Sequence, residues 1–179
     1  EYSSGSNIIA IGHDAFYTGN YSNSVAIGNG TAITASNQVR LGNASTSSIG
    51  GQVGWTSISD IRVKIKIEIN VPGLVFIKEL KPVTYNFDMD ALAKLTNTPD
   101  SLRLFKAEAE KASIRYTGFL AQDVEKAAQS IGYDFSGVDK PQNDEGYYAL
   151  RYAEFVVPLV KAVQELSKSN EELVATNEN

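Results

Sequence analysis

With 179 residues, 42% of them hydrophobic, and a net charge of −5, the chain can build one domain or two small ones. Its charge offers no electrostatic footprint for nucleic acid or an anionic membrane, and no apolar run approaches the roughly 20 residues of a membrane-spanning helix. The absence of cysteine excludes disulfides and thiolate chemistry, and the single histidine, His13, cannot by itself make a metal site or complete a His-dependent triad, so neither a metal nor a cofactor is expected.

Composition changes sharply near residue 58. Residues 1–58 carry only Glu1, Asp14 and Arg40 as charged side chains and no proline, while Gly, Ser, Thr and Asn dominate. That first stretch repeats itself. Asn7-Ile8-Ile9-Ala10-Ile11-Gly12 returns as Asn23-Ser24-Val25-Ala26-Ile27-Gly28 and as Asn37-Gln38-Val39-Arg40-Leu41-Gly42, with glycines 16 and then 14 residues apart. Alternating apolar residues bounded by Asn and Gly predict short strands joined by tight turns, and such strands fold only by stacking on one another. The pattern resembles the head repeats of trimeric bacterial adhesins, which implies a three-chain β-roll or β-solenoid over residues 1–42. His13 falls at a turn of this repeat. The chain begins inside a repeat, so a longer fibre upstream is expected. Residues 43–58 read as a polar neck, with Trp55 as an anchor packing against the next domain.

From Ser59 the chemistry differs. Odd positions from Ile61 to Ile69 are apolar and even positions polar, which predicts a half-buried strand. Residues 73–80 predict a short helix, residues 81–87 a strand, residues 89–114 one or two surface helices broken near Pro99, and residues 116–120 a third strand. Residues 121–131 have helical spacing, with Gly132 as the stop. Toward the C-terminus, Val156, Leu159, Val163, Leu166, Asn170 and Leu173 recur at alternating spacings of three and four, the seam of a coiled coil. Pro158 requires that this helix either start close to it or kink there. A helix of this length has little beyond Leu166 to pack against except copies of itself, so a homotrimer is expected. Asn170 suits a register-setting role, and Glu165, Glu171, Glu172, Lys161 and Lys168 flank the seam.

Four segments occur in order: Ser59-Asp60-x-Arg62-x-Lys64, Leu80-Lys81-Pro82-Val83-x-Tyr85, Gly118-Phe119-x-Ala121-Gln122-x-Val124-Glu125, and Tyr152-x-x-x-Val156-x-Pro158-Leu159-x-Lys161-Ala162-x-Gln164-Glu165-Leu166. Together they resemble the S74 peptidase family, the C-terminal intramolecular chaperones of endosialidase tailspikes and other phage tail fibres. The resemblance implies that the module trimerises, templates folding of the fibre segment upstream as its client, and then cuts its own chain at Ile58–Ser59. It implies Ser59 as nucleophile and Lys64 as general base, with Asp60, Arg62 and Lys66 as auxiliary candidates. Ile65 stands where such proteins commonly carry a polar residue, leaving Lys66 as the fallback base.

A serine hydroxyl is a weak nucleophile until a neighbouring base takes its proton, and a lysine does so only when neutral. Ser59 and Lys64 are five apart, so a straight strand would point them to opposite faces. The pair therefore requires a bend after Ser59 or a lysine from a neighbouring chain. The fold class expected is mixed: trimeric β-roll repeats, a polar neck at 43–58, an α+β chaperone domain over 59–151, and a coiled-coil helix over 152–179. The setting implied is a virion tail fibre or a bacterial surface fibre. The competing expectation is a structural adhesin cap that trimerises without cutting. A membrane-released transcription factor is disfavoured by the lack of a basic patch in residues 1–58.

Overall fold

The computed structural model describes residues 5–177. The chain packs as two compact units drawn from alternating stretches of sequence. The first takes residues 5–50, Val83–Gly118 and Lys140–Tyr148, and the second Gly51–Pro82, Phe119–Asp139 and residues 149–177. The compositional break near residue 58 is thus a change in chemistry, while the packing units interleave on either side of it.

In the first unit each repeat supplies one strand: β1 (Ile8–Ile11), β2 (Ser24–Ile27) and β3 (Val39–Leu41). They lie parallel and in repeat register, Ile9 beside Val25 beside Val39, and Ile11 beside Ile27 beside Leu41. The repeated Asn adopts a left-handed backbone each time, with φ of 58° at Asn7, 53° at Asn23 and 65° at Asn37. Asparagine tolerates that conformation better than other residues with a Cβ. The Asn23 side-chain Nδ2 also donates to Asn37 Oδ1 at 2.8 Å, linking one repeat to the next. The repeated Gly has a second reason. A Cβ on Gly12 would lie 2.5 Å from the Gly28 carbonyl oxygen, at a φ of +130° that side chains rarely adopt.

Inside this stack Phe16, Ala26 and Ile33 are buried, with Ile8, Ala15 and Tyr21 packed against them. The other face of the strands is different: Ile9, Ile11, Ile27 and Val39 remain exposed in the single chain. The repeats are also braced by the later stretches of the unit. Tyr17 donates to the Thr96 carbonyl at 3.1 Å, and Lys111 donates to the carbonyls of Ala44 and Thr46 at 2.7 and 3.1 Å. There β4 (Val83–Tyr85) pairs antiparallel with β5 (Tyr116–Gly118) beneath an aromatic group of Tyr85, Phe87 and Tyr116. Between them run α2 (Met89–Leu95) and α3 (Phe105–Ser113). Asp88 caps α2 by accepting from the Ala91 amide at 2.9 Å. A short 3-10 turn at Asp100–Leu102 separates the helices, next to the expected break at Pro99. The nearly buried Arg103 joins Asp90 and buried Glu108, each at 2.7 Å, which satisfies a carboxylate that would otherwise be costly to bury.

The second unit is organised around Phe76, which is fully buried and meets Tyr133 and Phe135 at ring separations of 5.3 and 4.9 Å. Phe76 belongs to α1 (Leu74–Ile77), a single turn lying against α5 (Val156–Asn177). Glu165 of α5 accepts from the Leu74 amide at 2.7 Å and so satisfies the open N-terminus of α1. Gly73 is needed for that approach, because a Cβ there would lie 2.7 Å from the Ala162 amide nitrogen. Helix α4 (Ala121–Ser130) buries Ala121, Val124, Ala127 and Ala128 and ends at Ile131, before Gly132. A two-residue pairing of β6 (Val138–Asp139) with β7 (Ala149–Leu150) completes the unit. Pro158 sits in the first turn of α5, where its missing N–H would have had no helical partner, so the helix starts close to the proline and the alternative of a kink is not needed.

Two expectations are overturned. Residues 61–69 form no strand. Ile61–Val63 is a 3-10 turn and the stretch after it has no regular structure. Its apolar positions are open to solvent, Ile65 at 83% and Ile69 at 100% exposure. Trp55 is likewise 87% exposed and anchors nothing in the single chain. A two-residue period selects a face only when a neighbouring strand supplies hydrogen bonds and a surface to cover, and the single chain offers neither here.

Candidate functional site

The segment around Ser59 is shaped by its own sequence. Asp60 has extended backbone, with φ −73° and ψ 133°, and its carboxylate accepts from the Arg62 amide at 2.9 Å, the N-cap geometry of the turn Ile61–Val63. The Val63 and Lys64 amides donate back to the carbonyls of Asp60 and Ile61 at 3.2 and 3.1 Å. Lys64 then returns to extended backbone. The turn reverses the parity of the chain, so Lys64 Nζ donates to Ser59 Oγ at 2.7 Å. The bend that a Ser59–Lys64 pair requires is therefore present, within one chain.

The Arg62 side chain closes over the same carboxylate. Its Nε lies 3.0 Å from each oxygen of Asp60, and its terminal nitrogen 2.6 Å from Oδ2. The guanidinium beside Asp60 holds that carboxyl below its usual range, and the carboxylate in turn raises Arg62. Lys66, the fallback base, enters a left-handed conformation with φ of 52°, and it is Lys64 whose amine reaches the serine. Ile58 is 89% exposed, so the Ile58–Ser59 peptide is accessible from solvent. The geometry brings together a hydroxyl, an amine within hydrogen-bond distance and an accessible peptide, the groups an acyl transfer from Ile58 to Ser59 needs.

Of the seam residues, Val156, Leu159, Val163, Leu166 and Leu173 are 45–64% exposed, and Asn170 is exposed with them. The face of α5 that packs within its own unit carries Pro158, Ala162 and Glu165 instead, and every described side chain from Leu166 to Asn177 is exposed. His13 lies in a turn with Nδ1 3.3 Å from Asp14, and no group of three His, Asp or Glu placed to hold a metal occurs among the described residues.

The clamp formed by Asp60 and Arg62 was visible in sequence only as two auxiliary candidates. The signal that could have found it is the S/D-type cap two residues before an arginine. A family model described as Peptidase_S74, chaperone of endosialidase, matches residues 59–133, so the match begins at Ser59 itself. Searches of curated proteins and of solved structures gave no match.

Proposed function

We propose, on the premise that residues 59–133 are a chaperone-of-endosialidase domain of the Peptidase_S74 family, that this module assembles three chains, templates the upstream fibre and then cuts itself free at Ile58–Ser59. The observation that carries the cutting step is the 2.7 Å contact of Lys64 Nζ with Ser59 Oγ. With Lys64 as the free amine, Ser59 Oγ attacks the Ile58 carbonyl carbon and its proton passes to Lys64. The amide C–N bond breaks, the nitrogen takes that proton and becomes the amino terminus of Ser59, and water hydrolyses the resulting ester. Residues 1–58 and 59–179 separate as the two products.

Two unpartnered apolar surfaces support assembly. One is the exposed row of Ile9, Ile11, Ile27 and Val39 on the repeats, and the other the seam of α5. Burying each such side chain in a trimer is worth about 1 kcal/mol or more, and the repeats are then a β-roll shared by three chains. The dyad is exposed in the single chain, and the serine hydroxyl becomes an effective nucleophile when the neighbouring amine takes its proton. A trimeric seed raises the effective concentration of the upstream strands and fixes their register. Removing it afterwards leaves the fibre held by kinetic stability. The setting is a tail fibre of a virion or a bacterial surface fibre.

The test is denaturing gel electrophoresis and mass measurement of the purified trimer. The expected products are fragments of 58 and 121 residues, the lengths of Glu1–Ile58 and Ser59–Asn179, and Ser59→Ala should leave one band. An unaltered chain that forms trimers yet stays uncut would sink the peptidase reading and leave a structural trimer cap.

A further inference from the structure

We propose that Asp60 and Arg62 are positioning residues for the Ser59–Lys64 pair, a clamp that sets the turn bringing the amine to the hydroxyl; this rests on the Ser–Lys reading above. The five-residue separation by itself sends the two side chains to opposite faces, so something must hold the chain bent. In the structure that something is local. One carboxylate makes four contacts with Arg62, one to the backbone amide and three to the guanidinium, all between 2.6 and 3.0 Å.

The first contact caps the turn, and the fork grips the same oxygens from outside. The three residues Ile61–Val63 are thereby held between Ser59 and Lys64 without help from a packed core, for Ile61 and Val63 are 73% and 69% exposed. The guanidinium occupies both oxygens of Asp60, so the charge of that carboxylate is answered by Arg62. Neither residue touches the scissile peptide as a reactant.

The experiment follows self-cleavage of the full chain on denaturing gels from pH 6 to 9 for the parent, D60A, D60N, R62A, R62K and S59A. Trimer content is measured by light scattering, and amide exchange is measured at Arg62 and Lys64. Misplacing reacting groups by about 1 Å costs about 100-fold, so D60A should cut about 10- to 100-fold more slowly with trimer content unchanged. D60N keeps an acceptor for the Arg62 amide but loses the ion pair, and should fall between D60A and the parent. R62K, which restores a charge without the fork, should recover part of the loss seen in R62A. D60A should also speed exchange at the Arg62 and Lys64 amides. Parent-like cleavage in both D60A and R62A, or unchanged exchange at those amides, would overturn the clamp. If the parent is uncut and matches S59A, the Ser–Lys reading falls by itself, and the exchange measurement still decides whether Asp60 sets the turn.

Discussion

Two stretches of this chain alternate apolar and polar residues, and only one of them is a strand. In the repeats, runs as short as Val39–Leu41 pair in parallel. The longer and more regular run from Ile61 to Ile69 pairs with nothing in the single chain. The difference lies in what surrounds each run. Every repeat carries a left-handed Asn before its strand and a positive-φ Gly after it, so the chain turns and delivers the next copy at hydrogen-bonding distance. The strands are then tied at their ends, with the Gly28 amide donating to the Ile11 carbonyl at 2.8 Å and the Gly42 amide to that of Ile27 at 2.7 Å. The run at 61–69 has no matching copy, and Asp60 commits its first residues to a turn. Alternation says which side of a strand would be buried. Turn chemistry and a partner edge decide whether the strand exists.

The contrast can be broken most forcefully at the turns. Gly12→Val should cost the first unit about 3 kcal/mol or more in chemical denaturation, because it forces a Cβ onto the Gly28 carbonyl at an unfavourable φ. A loss under about 1 kcal/mol would mean that the stack does not depend on close approach at its glycines.

The next test asks whether the 61–69 run is held by other chains. Ile67→Asn and Ile69→Asn should leave the stability of isolated single chains unchanged, since both side chains are exposed. In the trimer the same changes should weaken assembly by about 1–2 kcal/mol per chain, measured by sedimentation, if the run finds its partner there. No effect on assembly would confine the run to a solvated arm.

Asn23→Ala should cost about 1 kcal/mol, combining a left-handed alanine with loss of the 2.8 Å contact to Asn37. The corresponding change at Lys66, also at positive φ but outside any stack, should cost less.

The smallest effect expected is at high pH. Tyr21, packed against the repeat core, donates to Glu145 at 2.6 Å, and that hydrogen bond raises its pKa, with burial adding to it. A folded-state pKa above the unfolded value means that the contribution is complete below about pH 10 and is lost as pH rises through the raised value. Denaturation curves for Tyr21→Phe should therefore show less decline above pH 10 than those of the parent.

Much of the candidate site was legible from residues 59–64. Ser59 and Lys64 were picked out by the resemblance to the S74 peptidases, and the need for a bend comes from parity. What closes the bend was not legible, because an aspartate at this position reads equally well as a solvated charge, and only the backbone shows it facing the Arg62 amide. The repeats, the broken helices on either side of Pro99 and the end of α4 were readable because turn residues and helical spacing act within a few neighbours. The two interleaved packing units were not, since they join stretches more than 100 residues apart, such as Thr34 with Asn143.

By itself, then, the amino-acid order determined the local pieces: where the chain turns, which runs can be strands, where the helices stop, and which residues are candidates for chemistry. Those outcomes rest on backbone sterics and short-range hydrogen bonds, which a residue and its near neighbours control. Tertiary structure decided which alternating run became a sheet, and which face of α5 was spent on α1 and Phe76's unit and which was left open. Each of these depends on a partner brought in from elsewhere, and periodicity carries no information about that partner.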